Sequence, residues 1–142
     1  MTARATAADW PAIETLLTSS ALPLDGASEA FATGIVEHED GQLVGVAAIE
    51  PYAGAAVLRS VAVREDQRGR GLGQVLVAAA EDLARERGAS ELILLTETAE
   101  PFFARLGYEV IDRGSVAEDV AASIEFSTAC PSTAVAMRRR LA

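Results

Sequence analysis

The stretch "QRGRGLG", residues 67–73, puts two arginines and three alternating glycines into seven positions of an otherwise acidic chain. Glycines let a ligand approach the backbone closely, and arginines make charge-assisted hydrogen bonds that suit phosphate oxygens. Two nucleotide-binding motifs do not fit: Gln74 stands where a dinucleotide fingerprint needs its third glycine, and a P-loop needs a lysine. The stretch is therefore either an exposed turn or a cradle for another anion.

The position of this loop between a strand and a helix favours the anion cradle. An apolar run over Ala55–Val63 predicts a central strand before the loop. After it, apolar residues recur at spacings of three and four over Leu72–Leu83, Val75 among them, which predicts a helix with Glu81 on its polar face. The N-terminus of a helix offers unpaired N–H groups and the positive end of a dipole to an anion.

Arg59 is a second candidate for a chemical role, because it is a charged residue within the otherwise apolar strand. Burying an arginine costs free energy unless it is paired or faces a cavity. One interpretation makes Arg59 the substrate-binding residue, an anchor for a carboxylate through bidentate hydrogen bonds. The other is an ion pair with an acidic neighbour, or exposure at a face of the sheet, and the two interpretations carry equal weight.

Composition restricts the class of protein. The 142 residues fit one domain spanning 1–142, half of them are apolar, and the formal net charge of −9 argues against nucleic acid as a partner. With no lysine, one cysteine (Cys130) and one histidine (His38), the chain cannot form a lysine Schiff base, an intramolecular disulfide, or a thiolate or multi-histidine metal site. We see no signal peptide and no membrane span, and we expect a cytoplasmic protein without membrane contacts.

The remaining segments predict a mixture of strands and helices. A short N-terminal strand precedes a helix that ends near Ser19, and a second short helix lies near Ser28–Ala32. Asp40-Gly41 predicts a hairpin turn between two strands. Beyond the long helix come a buried strand over Ser90–Thr96, a short helix that stops at Gly107, and two further strands. This order indicates an α/β or α+β class.

The segment "VAVREDQRGRGLGQVLV" resembles the acetyl-CoA-binding segment of the GNAT acetyltransferase superfamily, whose signature [QR]-x-x-G-x-[GA] reads Arg68, Gly71 and Gly73 here. "PFFARLGYE" is similar to the next landmark of that family, F-Y-x-x-L-G-F-x, and the element order resembles the family over nearly the whole chain. The resemblance implies a central mixed, mostly antiparallel twisted sheet of about seven strands flanked by about four helices. It also implies acetyl-CoA as co-substrate, held between two strands that splay apart.

The resemblance assigns a set of residues to acetyl-CoA. The loop amides from Gly69 to Gln74 would bind the pyrophosphate, and the strand residues would bond the pantetheine arm and polarise the thioester carbonyl. Where relatives often carry asparagine and tyrosine, this chain has Thr96 and Phe103. The candidate cofactor-binding residues are Val61, Ala62, Val63, Arg68, Gly69, Arg70, Gly71, Leu72, Gly73, Gln74, Thr96 and Phe103.

The implied reaction is direct attack of an amine on the acetyl thioester, which needs a base and an oxyanion donor. A backbone N–H of Val61 or Val63 is the candidate donor, with ordinary sheet pairing as the alternative. Glu50 and Glu97, near predicted strand ends, are the candidate catalytic bases, acting directly or through a water, and exposed charge is the alternative for each.

The sequence offers no obvious general acid to protonate the departing thiolate, because Phe103 has no proton to give. Either the thiolate leaves unprotonated, as its modest pKa allows, or Tyr52, Tyr108 or Cys130 serves. This gap keeps open a second hypothesis, in which the chain is a non-catalytic acetyl-CoA-binding or regulatory module.

A narrower resemblance concerns the acceptor. "LLTETAEPFFARLGYEVIDR" followed by "ASIEFSTACPSTAVAM" resembles the N2-type acetyltransferases encoded beside arsenic-resistance genes. A related branch acts on amino-acid antibiotics that carry arsenic or phosphorus, so the resemblance implies a small, amino-acid-like amine. Cys130 alone cannot hold trivalent arsenic, which needs two or three thiols. Acetylation of protein N-termini, which needs an open peptide groove, and a homodimer stay open.

Overall fold

The computed structural model describes residues 2–123, 126 and 133–141, and Cys130 lies outside this part. The strands follow the chain in the order β1 Thr2–Arg4, β2 Gly34–Glu39, β3 Gln42–Tyr52, β4 Ala55–Val63, β5 Glu91–Thr96, β6 Glu109–Ile111 and β7 Val135–Arg140. The α-helices are α1 Trp10–Ser19, α2 Ala27–Ala30, α3 Leu72–Glu86, α4 Glu100–Arg105 and α5 Glu118–Ala121. Within the described ranges no helix is long and apolar enough to cross a membrane.

The seven strands form one sheet in the order β1-β2-β3-β4-β5-β7-β6, with β4 at its centre. Strands β4 and β5 pair in parallel and every other neighbouring pair is antiparallel. The expected mixed, mostly antiparallel α/β sheet is therefore confirmed, with five α-helices in the described residues rather than about four. The hairpin between β2 and β3 turns at Asp40 and Gly41, both with positive φ.

Helices cover both faces of the sheet. The long helix α3 packs one face with Leu76, Ala80 and Leu83, in the same cluster as β3 and β4 residues. Helices α1 and α2 cover part of the opposite face, and α5 covers another part. The predicted stripe of α3 was wrong at two positions: Val75 is 45% exposed, whereas Glu81 is buried. The buried face of α3 therefore differs from the predicted one. Glu81 belongs to this face because it pairs with the hydroxyl of Tyr108 and the guanidinium of Arg139 instead of water.

Two irregularities of β4 open the centre of the sheet. Pairing between β4 and β5 is confined to Ala55–Val57 against Glu91–Ile93, so the two strands separate beyond that point. On its other edge β4 carries a bulge, where the register shifts and Ser60 and Val61 together face one residue of β3. Ser60 adopts a φ of +58°, the left-handed region that side chains rarely occupy. A strained backbone at a strand centre commonly marks a functional site.

Candidate active site

A cleft of about 1500 Å³ lies where β4 and β5 separate. Its walls come from the second half of β4, the loop before α3, the end of β5, α4, and the loop between α1 and α2. Among the residues that the sequence assigned to the cofactor, the cleft is lined by Val61, Ala62, Val63, Arg68, Gly69, Gly71, Leu72, Gly73, Gln74, Thr96 and Phe103.

The glycine loop ends in a helix N-terminus that the protein leaves uncapped. Gly69 and Gly71 have φ values of +82° and +79°, which only glycine adopts without strain. Gly71 is the N-cap of α3, no side chain caps the helix, and no acidic residue stands in its first turn. The first N–H groups of an α-helix have no partner within the helix. The amides from Leu72 to Gln74 are therefore oriented to bind an anion.

The two arginines of the loop take different positions. Arg68 lines the cleft and donates from Nε to the carbonyl of Val63 at 3.0 Å, while its two terminal nitrogens have no acceptor among the described residues. Arg70 does not line the cleft; its Nη1 donates to Glu39 Oε1 at 3.0 Å and also to the side chain of Gln67. The guanidinium of Arg68, and not that of Arg70, is available to an anion in the cleft.

The exposed edge of β4 presents backbone amides to the cleft. The N–H of Arg64 donates to the carbonyl of Val44 on β3 at 2.8 Å. Backbone groups of successive strand residues point to opposite edges, so the amide of Val63 points away from β3. Val61 lies at the bulge and also lines the cleft. There β5 has separated from β4, and the cleft takes its place.

Phe103 and Thr96 contribute shape rather than titratable groups. Phe103 is 6% exposed and packs edge-on against Phe102 and Tyr108, with centroid distances of 5.0 and 5.5 Å. Thr96 Oγ1 accepts a hydrogen bond from the N–H of Ala99 at 3.0 Å, just before α4 begins. Phe103 has no proton to offer to the cleft, and the oxygen of Thr96 is used as an acceptor at the start of α4.

The two tyrosines that could replace a missing acid lie elsewhere. Tyr108 donates its hydroxyl to Glu81 Oε2 at 2.8 Å, and burial together with the charge of Glu81 raises the pKa of Tyr108 well above its usual value. Tyr52 donates to Glu50 Oε1 at 3.0 Å, and burial and that carboxylate raise the pKa of Tyr52 to about 12. Neither tyrosine lines the cleft.

Arg59 joins three separate segments at the floor of the cleft. Its side chain is fully buried, and Nη1 donates to Glu50 Oε2 at 3.1 Å. Nε donates to Ser60 Oγ at 3.1 Å, and Nη2 donates to the carbonyl of Pro23 at 3.3 Å. Arg59 therefore has an acidic partner and also lines the cleft, so both sequence interpretations have a structural counterpart.

The two candidate bases lie in different settings. Glu50 lies at the end of β3 with 15% of its side chain exposed, and it lines a second hollow of about 470 Å³ beside Tyr52 and Ser123. Glu97 follows β5, is exposed, lines the main cleft, and accepts from Thr133 Oγ1 at 3.2 Å. The structure thus brings Glu50 to Arg59 and Glu97 to the rim of the cleft.

Sequence reasoning missed several residues that line the cleft. Ser20, Pro23 and Asp25 come from the loop between α1 and α2, and Arg105 comes from the last turn of α4. The segment "SSALPLDGAS" carries no chemical motif, so only its position in the fold reveals its part in the site. Over the described ranges no group of His, Cys, Asp and Glu side chains is arranged to hold a metal ion.

The separated strands and the uncapped helix N-terminus form a cleft whose shape and polarity suit an extended ligand with an anionic end. Residues 5–108 match the model of the acetyltransferase (GNAT) family, and the chain belongs to that family. The resemblance seen in the glycine loop is thereby confirmed at the level of the superfamily. Enzymes of this family use acetyl-CoA as co-substrate.

Individual relatives agree with this assignment. The N-acetyltransferase CT2212 of Chlorobaculum tepidum is 40% identical over 74 residues, which are 51% of this chain and 47% of that protein, so the match spans about half of the relative's length. Rv2747 from Mycobacterium tuberculosis, in complex with CoA and a second ligand, NLQ, is 28% identical with a TM-score of 0.84, covering 100% of this chain and 99% of that one.

A third relative shows the fold alone. N-acetylglutamate synthase from Neisseria gonorrhoeae, complexed with coenzyme A and N-acetyl-glutamate, has a TM-score of 0.86 at 22% identity. The alignment covers all of this chain and 35% of the synthase. This chain therefore corresponds to one part of a larger enzyme in that case.

Proposed function

We propose that the chain is an acetyl-CoA-dependent N-acetyltransferase that acetylates the primary amine of a small molecule. One observation carries the proposal: the exposed edge of β4 leads, within one cleft, to the uncapped N-terminus of α3. The strand edge suits the amide-bearing pantetheine arm, and the helix end suits the pyrophosphate. The strand edge and the helix N-terminus thus lie in the cleft in the same order as the pantetheine arm and the pyrophosphate lie along acetyl-CoA.

The residues of the cleft fit acetyl-CoA without an added metal or side-chain cap. The amides from Leu72 to Gln74 would hold the pyrophosphate, and the terminal nitrogens of Arg68 would add charge-assisted hydrogen bonds. The amides of Val61 and Val63 would meet the pantetheine arm and the thioester oxygen. Acetyl-CoA supplies an activated acetyl group, and the protein binds and orients it.

Two tasks fall to the protein during transfer, and the departure of the thiolate is left without a side-chain acid. An amide of Val61 or Val63 stabilises the negative charge that develops on the thioester oxygen, because a fixed donor in a partly dry cleft needs little reorganisation. Glu50 or Glu97 takes the proton of the amine: Glu97 lines the cleft, whereas Glu50 lines the second hollow and contacts Arg59, which lines the cleft. With Phe103 in the usual position of the acid, the thiolate leaves as the anion.

The acceptor is a small molecule with an amino-acid-like amine in this proposal. The complex of Rv2747, which this chain matches over its whole length, holds a second ligand beside CoA and so supports an acceptor site next to the cofactor. The resemblance to acetyltransferases linked to arsenic resistance adds a narrower candidate, an amino acid that carries arsenic or phosphorus. The exposed carboxylate of Glu97 at the rim does not favour an acidic peptide as acceptor.

A non-catalytic acetyl-CoA-binding module is the second candidate, and Phe103 is the observation that favours it. Calorimetric titration with acetyl-CoA, followed by thiol release in the presence of a panel of primary amines, separates the two. Binding with thiol release that depends on an amine supports the transferase. Binding without release on any amine supports the module, and failure to bind acetyl-CoA contradicts both.

A further inference from the structure

Arg59 carries hydrogen-bond donors that the fold does not satisfy. A guanidinium has five N–H groups. Three of them donate, to Ser60 Oγ, Glu50 Oε2 and the carbonyl of Pro23, one from each nitrogen. One N–H on Nη1 and one on Nη2 therefore have no acceptor in the part of the chain that the structure describes. Because the side chain is 0% exposed, water does not take their place, and buried donors are normally paired.

Ser20 is a second polar group without a partner at the same end of the cleft. Its Oγ is buried and has no hydrogen bond with any described residue. Ser20 lies three positions before Pro23, whose carbonyl contacts Arg59, and both residues line the cleft. Two independent side chains that line the cleft thus leave polar atoms unsatisfied, and Pro23 links the segment of Ser20 to Arg59. A polar ligand at this point would pair with both of them.

Arg59 and Glu50 place a cation and an anion side by side. Glu50 Oε2 lies 3.1 Å from Arg59 Nη1, and Glu50 Oε1 accepts from the hydroxyl of Tyr52. A carboxylate has about four acceptor sites, so Glu50 can accept a further hydrogen bond beside these two. A free α-amino acid has the complementary pattern, because a single carbon separates its carboxylate from its ammonium.

Resting on the acetyltransferase activity proposed above, we propose that the acceptor is a free α-amino acid bound as a zwitterion across the Arg59–Glu50 pair. Its carboxylate accepts from the two unsatisfied N–H groups of Arg59, a geometry that guanidinium and carboxylate favour. Its ammonium donates to Glu50, and Ser20 Oγ pairs with a carboxylate oxygen. A peptide N-terminus lacks the α-carboxylate and leaves the Arg59 donors unsatisfied, so it is a poor acceptor.

The same arrangement performs the first step of transfer. Glu50 takes one proton from the α-ammonium, and the neutral nitrogen then attacks the carbonyl carbon of the thioester. The C–N bond forms and the C–S bond breaks, while an amide of Val61 or Val63 holds the charge on the oxygen. The second proton of the nitrogen passes to the departing thiolate, and Glu50 releases its proton to solvent. The products are the N-acetyl amino acid and the CoA thiol.

The zwitterion model requires the loop between α1 and α2 to move, because that loop contacts Arg59 through the carbonyl of Pro23. Since the guanidinium is fully buried, a carboxylate reaches it when the segment around Pro23 moves aside. The contact from Arg59 Nη2 to the carbonyl of Pro23, at 3.3 Å, is the longest of the three and the one that this movement breaks. The incoming carboxylate replaces the lost acceptor.

The first test compares free L-amino acids with the same amino acids as α-carboxamides, which keep the amine and lose the negative charge. With acetyl-CoA saturating, we expect kcat/KM for the best amino acid to exceed that of its amide at least about tenfold, the loss typical of a hydrogen bond between charged groups. Equal values for acid and amide overturn the zwitterion model while the acetyltransferase proposal stands. If no amine in either series is acetylated, the proposed activity itself fails.

The second test measures the same acid-to-amide ratio in variants. Arg59→Lys should lower the ratio, because it keeps the positive charge but loses the paired N–H donors. The neutral double variant Arg59→Met with Glu50→Gln should reduce the ratio to near unity, because no cation remains to meet the carboxylate. The ratio does not depend on the fraction of folded enzyme, so a variant that folds poorly still gives an answer. Lower activity with an unchanged ratio would mean that Arg59 acts on the fold alone, and would overturn the model.

A matched serine pair completes the test. Ser20→Ala should raise KM for the amino acid several-fold and leave KM for acetyl-CoA unchanged. Ser19→Ala is the control, because Ser19 Oγ is already bonded to the carbonyl of Leu16 within α1. An equal effect of the two substitutions would remove Ser20 from the acceptor site.

Discussion

The two ends of the cleft are built in different ways. At the cofactor end, the groups that meet the anion are backbone amides of one contiguous stretch, supported by glycines with positive φ and by Arg68. At the proposed acceptor end, the cation is the guanidinium of Arg59 on β4, and its partners are the carboxylate of Glu50 on β3 and the backbone carbonyl of Pro23 in the loop before α2. A binding site formed by contiguous backbone can be recognised in the sequence from a short motif. A site formed by residues far apart in the sequence can be recognised only in the folded structure. The motif of the first end therefore identifies the family, whereas the second end is where we propose that the substrate is selected.

Removal of the proposed base should have the largest effect. Glu50→Gln keeps an acceptor for Arg59 but loses a basic carboxylate, so we expect kcat to fall about 100-fold or more. Glu97→Gln should lower kcat less than about threefold, because the side chain of Glu97 is exposed at the rim of the cleft. Steady-state kinetics across pH on both variants decides between them. A larger loss for Glu97→Gln would transfer the role of base to the rim.

A substitution in the glycine loop should come next and should affect the cofactor end only. Gly71→Val forces a branched side chain into a φ of +79°, which costs about 1–2 kcal/mol and distorts the uncapped helix end. We expect the Kd for acetyl-CoA to rise about 10- to 30-fold, measured by calorimetry. Gly54→Val is the matched control, because Gly54 has a φ of +77° and lies in the β3–β4 turn outside the cleft. Equal losses of affinity would show that strain, and not the loop, explains the result.

The two loop arginines offer a smaller contrast. Arg68→Ala removes a cation whose terminal nitrogens face the cleft, and we expect the Kd for acetyl-CoA to rise about three- to tenfold, less at high salt. Arg70→Ala should leave the Kd within about twofold, because Arg70 is paired with Glu39 outside the cleft. Titrations at two ionic strengths test both statements. A stronger effect of Arg70 would mean that the loop rearranges when the ligand binds.

The fold was largely predictable because local patterns agreed with it. The apolar run Ala55–Val63 has the same bounds as β4, and Asp40-Gly41 forms the expected hairpin turn. The partners of Arg59 were not predictable: Glu50 precedes it by 9 positions and Pro23 by 36, and the Pro23 contact uses a backbone carbonyl that no sequence signal marks. Glu81 was misplaced for the same reason, since its partners Tyr108 and Arg139 follow 27 and 58 positions later.

Two carboxylates, the half-buried Glu50 and the buried Glu81, sharpen the contrast between site and scaffold. Glu50 pairs with an arginine that still has unsatisfied N–H groups. Glu81 accepts from Arg139 Nη1 at 2.9 and 2.8 Å and from the hydroxyl of Tyr108, and it ties α3 to β7 and to the segment after α4. A paired cluster that does not line the cleft stabilises the fold, whereas a cluster with spare donors at the cleft can bind a ligand.

Tyr108→Phe tests that distinction and should have the smallest effect on the reaction. Loss of the buried hydrogen bond to Glu81 should lower the free energy of unfolding by about 1 kcal/mol, while KM for acetyl-CoA and for the acceptor stays unchanged. The pKa of Tyr108 is raised by burial and by Glu81, so the folded state keeps the hydroxyl protonated where the unfolded chain ionises, near pH 10. The stability that Tyr108 contributes is therefore fully present below pH 10 and declines as the pH rises above it. Denaturant melts at pH 7 and above pH 10 should show a smaller alkaline loss in Tyr108→Phe than in the parent protein. A change in either KM would instead connect the Glu81 cluster to the site.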